Sequence, residues 1–221
     1  MTKSKIDVLV LSGGAGKRLK KKLKNTPKGL MMYRGVCALT HITSLFDKDL
    51  FNINLNIGKD EEKAFKKAVK YKLLVEKTRV GNAGAIKLFY KKLTDPFIVI
   101  HNDILIKDFD AFDFYMEHKE NMTDNCIMTV AITDVGKKKE NGVITRHHNI
   151  ITGLTRRRFI NCGIYCINHA AMNYIQRDVF QDIDEDFIQR LIELQREHDD
   201  ESFNKTIAAY EHVGRYESWG K

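Results

Sequence analysis

The stretch IDVLVLSGGAGKRL, residues 6–19, decides how the rest of the chain is read. Ile6–Leu11 is a short apolar, largely branched run, and it reads as a buried strand. The chain then opens into Gly13, Gly14 and Gly16. Glycines let backbone N–H groups turn toward an anion with no Cβ in the way. Lys17, Arg18 and Lys28 place positive charge beside them. Two familiar labels fail. A P-loop ending at Gly16-Lys17 needs a glycine where Leu11 stands and a hydroxyl residue where Arg18 stands. A dinucleotide fingerprint on Gly14 and Gly16 needs a third glycine where Leu19 stands. What survives is a strand feeding a phosphate-binding turn of another kind, with a glycine-rich turn beside solvated lysines as the plain alternative.

Working outward, the 221 residues suffice for one good core, and 43% hydrophobic with 30% charged residues is the composition of a soluble globular chain. Two prolines argue against disordered linkers. No apolar run is long enough for a membrane span and no leader peptide is evident, so a cytoplasmic protein without membrane attachment is expected. Cys37, Cys126, Cys162 and Cys166 form no C-x-x-C pair, and the expectation is four reduced thiols and no zinc. The net charge of +8 suits either nucleic acid or a polyphosphate substrate. The lysines are spread over 20–24, 63–72 and 137–139, and no nucleic-acid motif accompanies them, so nucleic acid is not the expected partner.

Strand-like and helix-like segments alternate. Helices are expected at 36–46, 60–70, 82–93 and 108–118, the last with Phe109, Phe112 and Met116 on one face. Strands are expected at 52–57, 73–75, 97–100 and 126–132. From 142 to 167 the runs are strand-like with a turn near Asn149, and helices return at 168–177 and 185–197. This order predicts an α/β, Rossmann-like fold: a mostly parallel mixed sheet flanked by helices, with a β-rich part on the substrate side. One domain over 1–221 is expected, with a nucleotide-binding part at 1–135 and an acceptor-binding part at 136–221.

Ligands of such sheets bind at the carboxyl ends of the strands. There the chain carries Ser12-Gly13-Gly14, then Glu76 leading into Gly81-Asn82-Ala83-Gly84, then His101-Asn102-Asp103. Together these describe a nucleoside triphosphate site with a metal ligand.

The same residues resemble the sugar-1-phosphate nucleotidylyltransferases. The family's opening glycine loop, arginine and Pro-Lys pair look like Gly13-Gly14-Ala15-Gly16-Lys17-Arg18 followed by Pro27-Lys28. Its Leu-Gly-Thr-Ala-Gly-Ala is similar to Val80-Gly81-Asn82-Ala83-Gly84-Ala85, and its metal-binding Gly-Asp to Asn102-Asp103. Its Tyr-Gly-Val strand resembles Asn141-Gly142-Val143, and its Ile-Asn-Ala-Gly-Ile-Tyr strand resembles Ile160-Asn161-Cys162-Gly163-Ile164-Tyr165. Its terminal Asp-Ile-Gly-Thr-Pro-Glu is similar to His212-Val213-Gly214-Arg215-Tyr216-Glu217. Departures are Lys17 in place of a threonine, Thr155-Arg156 in place of a Glu-Lys pair, and His212 in place of the second metal aspartate.

The resemblance implies a glycosyltransferase-A-like nucleotidyltransferase fold and a reaction of a nucleoside triphosphate with a sugar 1-phosphate, giving a nucleotide sugar and pyrophosphate. The acceptor implied is of the hexose or heptose 1-phosphate type, and the pattern around Glu76 leans toward GTP. Arg18, Lys28 and Asp103 are the implied catalytic residues. Leu11, Ser12, Gly13, Gly14, Ala15, Gly16, Lys17, Glu76, Asn82, Gly84 and Asn102 are the implied nucleotide-binding residues. Gly142, Arg156 and Asn161 face the acceptor. Asp103 and His212 hold Mg²⁺, with Mn²⁺ or Co²⁺ as alternatives because a nitrogen ligand suits them better. A phosphocholine-like acceptor, a non-catalytic nucleotide-binding relative and homo-oligomerisation stay open at this level.

Overall fold

The computed structural model describes residues 4–13, 26–33, 35–122, 125–134, 143–147, 150–154, 159–197 and 206–218. Its centre is the first apolar run. Strand β1 (Ile6–Leu11) lies parallel between β4 (Phe51–Gly58) and β6 (Phe97–His101), and β5 (Lys72–Glu76) continues the parallel set beyond β4. On the other side of β6 the sheet turns mixed. Strand β11 (Phe159–Ile167) runs antiparallel to both β6 and β8 (Cys126–Asp134). Strand β12 (Thr206–Glu211) lies parallel to β8, and β10 (Ile150–Leu154) and β9 (Val143–His147) close the far edge. The nine-stranded order is β5-β4-β1-β6-β11-β8-β12-β10-β9. Two small ribbons accompany it: β2 (Met32–Tyr33) with β3 (Val36–Cys37), and β7 (Ile104–Ile106) with β13 (Tyr216–Ser218).

The alternation of a strand explains why the sheet is buried on both faces. Val8 and Val10 of β1 join one core cluster with Ile98 and Ile100, while Leu9 and Leu11 join a second cluster with Val99 and Tyr165. Helices α1 (Ala38–Ser44), α2 (Glu62–Ala68) and α4 (Ala111–Asn121) contribute Leu39, Ile42, Phe65 and Phe114 to the first. Helix α3 (Gly81–Phe89) and the π-helical turn Ile183–Ile188 running into α5 (Gln189–Glu197) contribute Ile86, Phe89, Phe187 and Leu191 to the second. Helices of seven residues, such as α1 and α2, are too short to stand alone in water. Burying one large apolar side chain is worth roughly 1.5–3 kcal/mol, and that contact with the sheet holds them. Among the described residues no helix is long and apolar enough to cross a membrane, and all four cysteines are free thiols.

Three expectations need correction. The helix expected from 108 starts later, because Asp108 takes a left-handed φ of 59° and Asp110 caps the first turn by accepting from Phe112 N and Asp113 N. The buried face is accordingly Ala111, Phe114 and His118, while Phe112 and Met116 are 44% and 41% exposed. The segment expected as helix at 168–177 is a 3-10 turn, His169–Tyr174. Strand β12 was not anticipated at all, yet it sits inside the sheet.

One backbone contact ties α3 to the segment that precedes the π-helical turn. Gly81 has φ +78°, Ala83 N two residues on donates to Gln181 O at 3.1 Å, and Gln181 N donates to Val80 O at 3.0 Å. A Cβ on Gly81 would overlap the Gln181 carbonyl. Gly81→Ala is expected to lower the free energy of unfolding by about 2–3 kcal/mol, through left-handed strain plus overlap. Gly35, with φ +81° and open space around it, is the control. Gly35→Ala should lose only about 1 kcal/mol, from strain alone. Urea unfolding of both variants checks the difference.

Candidate active site

Strands β4 and β5 are laid down on one side of β1, and β6 on the other, which makes the gap between the carboxyl ends of the parallel β1 and β6 the switch point of the sheet. Leu11 pairs with His101 across this gap, so Ser12-Gly13 and Asn102-Asp103 leave the sheet side by side. Ser12 N donates to Asn56 O at 2.9 Å. The Ser12 hydroxyl and the Asn102 amide nitrogen are both buried, and neither has a hydrogen-bond partner among the described residues. Both converge on Gly29, where an added Cβ would lie 2.9 Å from Asn102 Nδ2 and 3.2 Å from Ser12 Oγ. Buried polar atoms left without partners cost stability, and a bound water, ion or polar ligand can supply the missing partner.

Lys28 stands next to Gly29 in the short 3-10 turn that follows Pro27. Its ammonium bonds Asp103 Oδ2 at 2.5 Å. Burial alone would raise the Asp103 carboxyl. The Lys28 ammonium and the charge of His101 outweigh it and hold the group below the usual carboxylate range. Asp103 is therefore an anion at neutral pH. Among the described residues no group of three or more His, Cys, Asp or Glu is arranged to hold a metal. A single ionised carboxylate beside a phosphate site nevertheless fits Mg²⁺, which keeps several waters and is completed by substrate phosphates.

At the end of β5, Glu76 is 4% exposed. Its Oε1 accepts from Asn56 Nδ2 at 2.6 Å, and its Oε2 accepts from Val80 N at 3.4 Å. Burial raises the Glu76 carboxyl despite both bonds. Gly13 lies against this pair, since a Cβ there would sit 3.2 Å from both Asn56 Oδ1 and Glu76 Oε1. Asn56 was missed by sequence reasoning. The alternation of residues 52–57 suggests a half-exposed strand, but Asn54 and Asn56 are both buried. Asparagine is depleted in strands, and its repetition inside one was the available signal.

The remaining sequence candidates have the following surroundings. Asn82 is committed to structure, donating to Asp182 Oδ2 at 3.0 Å and accepting from Ala83 N and Ile183 N. Gly84 packs under Val80, 2.8 Å from its Cβ were a side chain present. Asn161 bonds Tyr165 and Asp184. His212 N donates to Ile132 O at 2.7 Å, and its ring meets Phe109 edge to face at 5.8 Å. Burial lowers its pKa, while Asp108 and the Lys107 backbone oppose the shift. Its Nε2 is buried with no hydrogen-bond partner among the described residues, and a Cβ added to Gly214 would overlap it. Gly14, Ala15, Gly16, Lys17, Arg18, Gly142 and Arg156 lie outside the described residues.

Comparisons with known proteins place the chain in a family. The family model described as "Nucleotidyl transferase" matches residues 7–220. The bifunctional protein GlmU of Methanocaldococcus jannaschii is 26% identical over 78% of this chain and 42% of its own length. Mannose-1-phosphate guanyltransferase beta-A of Xenopus laevis is 25% identical over 76% of this chain and 51% of its own length. The chain thus spans about half the length of the curated relatives it matches. HddC from Yersinia pseudotuberculosis, solved with GMP-PN, has the same fold at TM-score 0.75 and 20% identity, covering 98% of this chain and 94% of its own. UTP-bound UGPase from Acinetobacter baumannii shares it at TM-score 0.73 and 13% identity, covering 98% and 89%. The fold therefore does not choose the base.

A carboxyl raised by folding favours the folded state while protonated and opposes it once pH climbs through the folded value. Glu76 is such a group. Glu76→Gln keeps an oxygen for Asn56 and is expected to stabilise the fold at about pH 7–8, with the gain vanishing toward pH 4.5, the ordinary value for the group. Thermal melts of both proteins across that range check it.

Proposed function

The chain belongs to the nucleotidyl transferase family, and from that premise we propose that it transfers a nucleoside monophosphate from a triphosphate to a sugar 1-phosphate, releasing pyrophosphate, with all described parts acting as one catalytic unit. The observation that carries this reading is the Lys28–Asp103 pair at the switch point, beside the unpartnered Ser12 Oγ and Asn102 Nδ2. The acceptor's phosphate oxygen bonds to the α-phosphorus as the bond to pyrophosphate breaks. That oxygen is already ionised near neutral pH, so no general base is needed, and none is assigned. What the residues supply is position and charge. Lys28 turns from Asp103 to a phosphate oxygen. Ser12 Oγ and Asn102 Nδ2 find partners on the triphosphate. A divalent cation arriving with the triphosphate supplies charge neutralisation, and Asp103 would hold it. We assign His212 to packing of the turn after β12, on the strength of its covered Nε2.

For the base we propose guanine. Its ring N–H and neighbouring amino group are adjacent donors, and they match a buried carboxylate such as Glu76 better than the single ring N–H of uracil does. For the acceptor, a hexose or heptose 1-phosphate is the proposed class.

Each triphosphate incubated with a panel of sugar 1-phosphates and phosphocholine, read by pyrophosphate release, tests the reaction. Turnover is expected with GTP and a sugar 1-phosphate. Asp103→Asn should stay folded and lose turnover by about a hundredfold or more, the usual loss when one preorganised charge contact is removed. A variant that turns over normally removes Asp103 from the site.

A further inference from the structure

Strand β11 is not regular. Its register with β8 shifts between Asn161 and Tyr165, and Gly163 within the shift has φ +72°. His101 packs on this glycine, with its Cβ 3.4 Å from where a Gly163 Cβ would be. The bulge brings Asn161 and Tyr165 to one carboxylate, that of Asp184 in the first turn of the π-helical segment. Asn161 Nδ2 donates to Asp184 Oδ1 at 2.6 Å, and Tyr165 Oη donates to the same oxygen at 3.1 Å. Asn161 Nδ2 also lies 2.8 Å from Tyr165 Oη, and Asn161 Oδ1 accepts from Gly163 N at 2.8 Å. Oδ2 of Asp184 takes no bond from any described residue.

This network is costly for a purely structural one. Burial raises the Asp184 carboxyl, His101 opposes that, and Asp182 adds to it. A neutral amide could accept the same two bonds without a half-buried charge. The location gives the charge a use. His101 precedes Asn102-Asp103 in the chain, and its ring packs on Gly163 with its centroid 5.9 Å from that of Tyr165. Asp182, two residues before Asp184, is bonded by Asn82 at the start of α3. Asp184 therefore lies between the phosphate end of the site and α3, beside the strand that the sequence pattern assigns to the acceptor.

We propose that Asp184 selects the acceptor: Oδ1 is fixed by Asn161 and Tyr165, and Oδ2 accepts hydrogen bonds from one or two hydroxyls of a sugar phosphate. The assignment rests on the transfer reaction proposed above and adds the residue that reads the acceptor's hydroxyls. Hydroxyl donors to a carboxylate are short and strong. A quaternary ammonium acceptor would need open aromatic faces around the charge, and Tyr165 is only 1% exposed.

The test uses purified wild type and Asp184→Asn, which keeps an oxygen for Asn161 and Tyr165. With the sugar 1-phosphate that wild type uses best, the variant is expected to raise the acceptor KM by about tenfold while the triphosphate KM moves less than about twofold. Singly deoxygenated acceptors should reveal a hydroxyl whose loss costs wild type about tenfold in kcat/KM and costs the variant almost nothing. An unchanged acceptor KM, or no hydroxyl sensed differently by the two proteins, overturns the assignment and leaves the transfer reaction standing. If Asp184→Asn does not fold by circular dichroism, Tyr165→Phe carries the test. It loosens Asp184 without touching the acceptor, so an acceptor KM raised about threefold supports the proposal and an unchanged one overturns it. A wild type that releases pyrophosphate with no sugar 1-phosphate overturns the transfer reaction and this assignment together.

Discussion

The parallel pairing of β1 with both β4 and β6 is the constraint on which the rest depends. It fixes the switch point of the sheet, and so decides which residues meet at its carboxyl edge. The pairing is held by side chains rather than by ladder bonds alone. Val8, Leu9 and Val10 are completely buried, alternating between the two core clusters, so a slip of one residue would exchange every contact on both faces. With the register held, Leu11 stands opposite His101, and two loops that are ninety residues apart in the chain emerge as neighbours.

What meets there is chemically coherent. Lys28 and Asp103 neutralise one another, which lets a cation and an anion sit close together while partly buried. A triphosphate with its cation offers each of them a new partner of the right sign. The Ser12 hydroxyl and the Asn102 amide nitrogen, without partners among the described residues, can each make a hydrogen bond to a phosphate group. The same reasoning extends along β11. The bulge at Gly163 admits His101 and turns Asn161 and Tyr165 toward Asp184, so one local irregularity links the loop that carries Asp103 to the carboxylate proposed to read the acceptor.

The family match and the relatives carry the reaction class, while the fold by itself leaves the base open. Chains that share this sheet include one solved with GMP-PN and one with UTP. Base and acceptor choice must then come from side chains added to a common frame, which is the role proposed above for Glu76 and Asp184.

The sequence by itself determined the parallel core and the residues at its rim, because local periodicity and glycine placement are visible in a linear string. Ile6–Leu11, the run at 97–100, Ser12-Gly13, Glu76 and Asn102-Asp103 all stand where their patterns put them. It misphased α4, since the cap at Asp110 rather than the spacing of aromatic residues sets which face is buried. It missed β12, whose six residues become a strand only because β8 and β10 lie on either side. It had no view of Asn56 as the partner of Glu76, or of Asp184 as the partner of Asn161 and Tyr165. Those pairings join residues about twenty positions apart on different elements, and whether a carboxylate is solvated or buried against such a partner is decided only when the elements pack.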